Sequence, residues 1–303
     1  VVVEKNKDYT SGKVRDRFEL GYNLICFHHS NRLSAFDRHI CHVPGKGELL
    51  NTINEWWMNK TEHIIPNHHI FNSGDYLVAH KCEVIPLEII VRAYITGSTN
   101  TSLWTHYNKG VRNYCGVDFP NGLKKNQKLS SPVITPTTKG EVDELISYDE
   151  ILSRNVVSRE ELDFIYDTAQ KLFKFGSDIL SEKGLILVDT KYEFGKLDDN
   201  IILIDEIHTP DSSRYFYADN YQNLQDKGES QKQLSKEFVR EWLIENGFQG
   251  KENQKVPKMT DEIVNDISKR YIELYENIIG EKFKKRKTEN MLNDIESNIK
   301  IVL

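Results

Sequence analysis

The chain has 303 residues, 38% of them hydrophobic, and a formal net charge of −6. That is enough apolar material for a sizeable core in one large domain or two smaller ones, and the acidic balance disfavours a constitutive nucleic-acid binder, which needs a basic face. Cys26, Cys41, Cys82 and Cys115 form no CxxC pair, and the most apolar run, residues 87–95, is broken by Glu88 and Arg92, so a disulfide framework, a zinc ribbon and a membrane span are all disfavoured.

Residues 13–20 place Val14, Asp16, Phe18 and Leu20 on one side of a strand and Arg15, Arg17 and Glu19 on the other. Gly21-Tyr22-Asn23 then leads into Leu24-Ile25-Cys26-Phe27, and this alternation around a turn predicts a β-hairpin opened by Ser11-Gly12-Lys13. Leu49, Ile53, Trp56, Trp57 and Lys60 fit an amphipathic helix over 48–63. A strand region follows over 76–95, bent at Pro86, and residues 99–108 read as a short helix. Ser158-Arg159-Glu160-Glu161 has the form of a capping box, and Leu162, Ile165, Ala169, Leu172, Phe173, Phe175 and Ile179 continue it as a helix ending at Gly184. Two apolar strands, 185–194 and 200–207, flank the polar turn Lys196-Leu197-Asp198-Asp199 and predict a second hairpin. Phe238, Trp242 and Leu243, then Ile263, Ile267, Tyr271, Leu274, Tyr275 and Ile278, carry helical spacing in the tail.

The second hairpin concentrates charge. Asp189, Lys191 and Glu193 share a face by strand alternation, and the facing strand ends in Asp205-Glu206, which brings Asp205 near Glu193. Neighbouring carboxylates repel unless a cation lies between them, and hard oxygen ligands suit Mg²⁺ bound with a polyphosphate. A surface pair laced by Lys191 and Lys196 is the alternative. Thr209-Pro210-Asp211-Ser212-Ser213-Arg214 offers a carboxylate, two hydroxyls and a guanidinium in one turn, suited to phosphate or carboxylate, although Asp211 capping a turn explains it as well. Ser11-Gly12-Lys13-Val14-Arg15 can lay backbone N–H groups and charge over phosphates, but it is not a Walker A motif. Arg92, deep in an apolar strand before Thr96-Gly97-Ser98, requires an anion, either a ligand or an internal carboxylate such as Glu88. Residues 135–144 read as a polar loop, and the histidines at 42, 68, 69 and 80 match no zinc framework.

Seven segments, in order over about residues 11–214, resemble the SAICAR synthetases, the phosphoribosylaminoimidazole-succinocarboxamide synthases of purine biosynthesis. They are Ser11-Gly12-Lys13-Val14-Arg15-Asp16; Leu33-Ser34-Ala35-Phe36-Asp37; Pro44-Gly45-Lys46-Gly47; Pro86-Leu87-Glu88-Ile89-Ile90-Val91-Arg92 with Tyr94-Ile95-Thr96-Gly97-Ser98; Thr135-Pro136-Thr137-Thr138-Lys139; Asp189-Thr190-Lys191-Tyr192-Glu193-Phe194-Gly195; and Asp205-Glu206 through Arg214. The resemblance implies an α+β fold. Its parts are an antiparallel-sheet N-terminal domain that covers ATP (1–85), a central α/β domain for substrate and metal that completes the ATP cleft (86–220) and a C-terminal helical extension packed on the core (221–303). It also implies a reaction: ATP, L-aspartate and the carboxylate of carboxyaminoimidazole ribonucleotide give a succinocarboxamide, ADP and phosphate, through an acyl phosphate that the aspartate amine attacks.

Carried over by position, Gly12, Lys13, Val14 and Arg15 cover the ATP phosphates, Lys139 adds charge, and backbone from Lys81 to Ile85 meets adenine. Glu193 and Asp205 hold Mg²⁺. Arg92, Ser98 and Arg214, with Ser213 beside them, grip the ribonucleotide phosphate. Asp143 and Asp189 contact its imidazole or ribose, and Lys191 orients a reacting carboxylate. Ser34, Asp37 and Lys46 lie in motifs assigned as a group to the aspartate site. Extra sequence over 113–132 and the tail after Tyr215 bring the chain closer to the longer fungal form, and with it to a monomer. The expected setting is the cytoplasm, without nucleic-acid or membrane partners. The rivals are another ATP-dependent carboxylate-amine ligase, a small-molecule kinase, and a nucleotide-binding regulatory module without turnover.

Overall fold

The computed structural model describes residues 9–140 and 143–285. Its backbone falls into two compact units, one of Val1–Lys60, Asn67–Cys82 and Trp242–Leu303, the other of Thr61–Pro66 and Glu83–Glu241. Thr61–Pro66 apart, the units change over at Glu83 and Trp242, against the expected boundaries at residues 85 and 220, and the part of the tail from Trp242 joins the first unit. Apolar contact explains that return: the Phe248 ring meets Phe36 edge-on, and the Phe283 ring lies over Gly45.

In the first unit the alternating residues form β1 (Tyr9–Ser11), β2 (Arg15–Gly21) and β3 (Leu24–His29). β2 and β3 pair antiparallel with Phe18 opposite Cys26, as the alternation requires. β4 (Arg32–Ala35) and β5 (Arg38–His42) make a second hairpin. Helix α1 (Lys46–Thr61) buries Leu49, Leu50, Ile53, Trp57 and Met58, the apolar stripe legible in its spacing. β6 (His69–Ser73) and β7 (Tyr76–His80) complete a five-stranded antiparallel sheet in the order β1-β2-β3-β7-β6.

The second unit begins with β8 (Glu83–Val84) and β9 (Leu87–Tyr94), separated by the expected bend at Pro86. α2 (Leu103–Asn108) starts later than residue 99 because Ser102 is its extended N-cap residue and its hydroxyl accepts from the Thr99 N–H. The extra sequence over 113–132 supplies the small hairpin of β10 (Asn113–Tyr114) and β11 (Val117–Asp118), then enters β12 (Lys128–Ile134). Its Tyr114, Phe119 and Leu129 are buried with Ile95, Leu103 and Tyr107. β13 (Thr137–Thr138) pairs with β9, so part of the expected polar loop is sheet.

α3 (Tyr148–Ser153) and α4 (Arg159–Glu182) follow, and Ser158 with Glu161 closes the predicted capping box at the start of α4. β14 (Leu185–Leu197) is the long central strand of a seven-stranded antiparallel sheet. It pairs with β15 (Asn200–Ile204) as the predicted second hairpin, and with β16 (Ser213–Tyr217), so Ser213 and Arg214 of the predicted turn lie in a strand. α5 (Ala218–Lys227), α6 (Glu237–Glu245) and α7 (Asp261–Ile279) follow, the last two at the expected helical spacing. The fold is α+β, as expected. No helix among the described residues is long and apolar enough to cross a membrane.

Candidate active site

Strand register in the second unit brings Arg92 of β9 and Arg214 of β16 opposite Asp189 of β14, one on each side. Asp189 Oδ2 accepts from Arg92 Nη1 at 3.3 Å and from Arg214 Nη1 at 2.8 Å. The side chains of Arg92 and Asp189 are only 3% and 4% exposed, so each charge depends on the other for compensation. The internal partner of Arg92 is thus Asp189 and not Glu88, because Glu88 lies farther along β9 and meets Lys191 instead. Arg92 also donates to Thr135 Oγ1 and to the Thr101 carbonyl.

Arg214 has a second carboxylate. Its Nε and Nη2 lie 3.1 and 3.0 Å from Glu237 Oε2, which also accepts from Arg240 Nη1 at 3.0 Å. Burial alone would raise the Glu237 carboxyl; the guanidiniums of Arg214 and Arg240 outweigh it and hold the group at about 2. Gly97 permits this crowding: it sits at φ 101°, and a Cβ there would lie 2.3 Å from Ser102 Oγ and 2.8 Å from Arg214 Nη2. These groups surround a cavity of about 220 Å³. Arg92, Lys191, Arg214, Lys236 and Arg240 line it against Asp189, Asp211 and Glu237. The excess of two cations complements a dianion such as a phosphate monoester.

A second polar centre is continuous with this cavity through Lys191. Its ammonium donates to Glu88 Oε1 at 3.2 Å, to Asp205 Oδ2 at 3.1 Å and to Glu193. Lys139 also binds Glu193, whose side chain is 1% exposed. Burial opposes the charge on Lys191, but Asp205, Glu88 and Glu206 reverse that effect and raise its pKa above the ordinary lysine range. Among the described residues, no three His, Cys, Asp or Glu side chains form a self-sufficient metal site. Mg²⁺ needs none, since it commonly takes one or two carboxylates and fills its shell with phosphate and water. Glu193 and Asp205, hard oxygen donors drawn to one cationic nitrogen, fit that ligand set.

The loop between β15 and β16 is fixed from both ends. Thr209 Oγ1 donates to Glu206 Oε2 at 2.7 Å and accepts from the backbone N–H groups of Asp211 and Ser212, while Ser213 Oγ donates to Thr190 Oγ1 at 2.7 Å. His208 is fully buried, its Nε2 2.7 Å from the Tyr192 hydroxyl, and its backbone carbonyl accepts from Tyr215. The ring packs on α4 at Gly176, where a Cβ would come within 2.3 Å of it. Burial pushes the His208 imidazole down to about 3, so it is neutral near pH 7.

The other residues singled out from sequence are less concentrated. Ser98 lies beside Gly97 with its hydroxyl buried, and Asp143 is exposed and does not line the cavity. In the first unit, Gly12 and Arg15 close the β1–β2 turn by an N–H to carbonyl bond of 2.7 Å, and the Val14 carbonyl accepts from Ser30. Lys13 Nζ is 2.5 Å from Asp37 Oδ1, so two of the predicted residues do meet. Lys81 pairs with Glu19 at 2.7 Å, Ser34 is buried in β4, and Lys46 is buried at the start of α1. Sequence reasoning missed Lys236, Glu237 and Arg240 as cavity residues. The Glu237/Arg240 spacing of three was the available signal, since it places both on one side of a short helix.

Comparison with known proteins gives one answer. The SAICAR synthetase family model matches residues 8–257. The phosphoribosylaminoimidazole-succinocarboxamide synthase of Bacteroides fragilis is 51% identical over 298 residues, covering 97% of this chain and 94% of its own length. That of Bacteroides thetaiotaomicron is 50% identical with the same coverage, so the longer form is not confined to fungi. Among solved structures, SAICAR synthase from Saccharomyces cerevisiae complexed with SAICAR aligns with a TM-score of 0.77 at 34% identity, covering 91% of this chain and 95% of that one. The fold, a cationic cavity and these matches agree: the chain belongs to the SAICAR synthetase family.

Proposed function

We propose that the cavity around Asp189 holds the phosphate of carboxyaminoimidazole ribonucleotide, and that the carboxylates around Lys191 serve the phosphates of ATP. The family's reaction joins the ribonucleotide's carboxylate to the amine of L-aspartate at the expense of ATP. A carboxylate is a poor electrophile. Transfer of the γ-phosphoryl to its oxygen gives an acyl phosphate and ADP; the amine adds to the carbonyl carbon, the C–N bond forms, and phosphate leaves as the nitrogen gives up a proton. Catalysis of such a transfer rests on positioning and on charge placed against the phosphoryl oxygens.

In this reading Arg92, Arg214, Ser98 and Ser213 bind the ribonucleotide phosphate. Asp189 aims both arginines and, with Asp143, faces the imidazole or ribose. Lys191 orients the reacting carboxylate, and Lys139 adds charge near the γ-phosphate. Glu193 and Asp205 would hold Mg²⁺, which supplies positive charge to the phosphate oxygens when bound. In the first unit, Gly12, Lys13, Val14 and Arg15 serve the ATP phosphates, the backbone at Lys81 serves adenine, and Ser34, Asp37 and Lys46 serve aspartate. A monomer working in the cytoplasm completes the reading, and the four free cysteines accord with a reducing compartment.

The observation that carries this assignment is Lys191, which lines the arginine cavity while its nitrogen binds Asp205 and Glu193. One ammonium therefore serves a cationic pocket and a metal-type carboxylate pair. The test is ADP release from ATP and Mg²⁺ with ribonucleotide and aspartate, omitting each in turn. Dependence on all four supports the ligase, and release with ATP and an alcohol alone would replace it with a kinase.

A further inference from the structure

Among the arginines that line the cavity, one has a guanidinium nitrogen with no protein acceptor among the described residues, and it lies outside the family motifs. Every guanidinium nitrogen of Arg92 already has a protein acceptor: Nε on Thr135, Nη1 on Asp189 and Nη2 on the Thr101 carbonyl. The same holds for Arg214, with Nε on Glu237, Nη1 on Asp189 and Nη2 shared between Glu237 and Ser102. Arg240 differs. Its Nη1 is anchored on Glu237, while its Nε is buried without a hydrogen-bond partner among the described residues. A buried N–H without an acceptor is costly, and the cost is recovered when a ligand supplies one. Arg240 lines the same cavity, in which cations exceed carboxylates by two.

We propose that Arg240, carried on α6 and aimed by Glu237, is a further binding residue for the ribonucleotide phosphate. The inference rests on the assignment of that cavity to the ribonucleotide. Glu237 acts as a positioning residue: its Oε2 holds Arg214 and Arg240 at 3.1 and 3.0 Å, fixing the two forks relative to each other. Phosphate oxygens then meet Arg214, held from both sides by Asp189 and Glu237, and Arg240, held at Nη1 alone. Arginine suits the second role better than lysine, because one nitrogen can stay on Glu237 while another reaches the ligand.

Initial rates of the full chain decide the matter, with the KM of ribonucleotide, ATP and aspartate measured separately for Arg240→Ala, Arg240→Lys and Glu237→Gln. Arg240→Ala is expected to raise the ribonucleotide KM about tenfold to a hundredfold, the scale of a lost charge-assisted hydrogen bond, with the other two KM values unmoved. Inhibition by ribose 5-phosphate, which has the phosphate but no imidazole, should weaken in proportion. Arg240→Lys should fall between, since it keeps the charge and loses the fork, and it carries the test if the alanine variant shows no cooperative unfolding transition. Glu237→Gln adds net positive charge yet loosens the hold on Arg240, so a raised ribonucleotide KM supports positioning and a lowered one overturns it. An unchanged ribonucleotide KM in Arg240→Ala, or an equal rise in all three constants, overturns the role of Arg240. A wild-type enzyme that releases ADP without ribonucleotide would instead overturn the assignment of the cavity.

Discussion

Arg214 and Asp189 face each other across β16 and β14, with Nη1 2.8 Å from Oδ2, and that same oxygen also holds Arg92. Asp189→Asn keeps the shape but leaves two buried guanidiniums without their shared counter-charge. Removing one partner of a buried ion pair costs about 3–5 kcal/mol. Denaturant unfolding is expected to show a loss of that order, partly restored by inorganic phosphate filling the cavity. A variant as stable as the wild type would mean that solvent already screens the pair.

At the other end of the sheet face, Glu193→Gln and Asp205→Asn each remove one of the carboxylates that converge on Lys191. Turnover is expected to fall by at least about a hundredfold, as for loss of a phosphoryl-transfer metal ligand. A Mg²⁺ titration of the rate checks this. Near-normal turnover in both variants would remove the metal assignment, and ATP binding insensitive to Mg²⁺ and to Glu193→Gln would favour a regulatory module.

Gly97→Ala tests the close approach behind the cavity. The new methyl would press on Ser102 and Arg214 at a φ of 101°, a conformation that costs a side chain of order 1–3 kcal/mol. The ribonucleotide KM is expected to rise about tenfold while the ATP KM stays unchanged. Equal effects on both would point to general unfolding rather than displacement of Arg214.

His208 makes stability depend on pH. Its folded pKa is depressed from 6.5 to about 3 by burial. Between those values the unfolded chain binds a proton that the native one refuses, so this contribution to stability falls as pH drops below about 6.5, by about 1.4 kcal/mol per pH unit. His208→Gln should flatten the difference in urea midpoints between pH 7 and pH 5 relative to wild type. Parallel pH curves for the two proteins would show that the imidazole takes up its proton in the native state.

The parts legible from sequence are those whose signals are local. The capping box of Ser158 and Glu161, the alternation around Gly21 and the hairpin around Asp198 and Asp199 each declare themselves within a few residues. Charge on β14 was legible as an anomaly, because alternation puts Asp189, Lys191 and Glu193 on one face. The partners were not. Arg92 lies 97 residues from Asp189 and Arg214 lies 25 away, and only the register of three strands decides that they meet. β16 escaped because the Thr209-Pro210-Asp211 turn chemistry precedes it directly. Glu237 and Arg240 were not legible because the periodic signal of α6 lies in its apolar residues.

The division of labour along β14 is tested most directly by the steady-state constants of Arg214→Ala measured against each substrate. Arg214 lines the anion cavity and touches none of the carboxylates at Lys191 in the contacts described above. Removing ground-state binding to a remote phosphate should raise the ribonucleotide KM at least about tenfold, with the ATP KM and the Mg²⁺ dependence unchanged. An unaltered ribonucleotide KM, or a change that appears in the ATP KM instead, would contradict the placing of the ribonucleotide phosphate between Arg92 and Arg214.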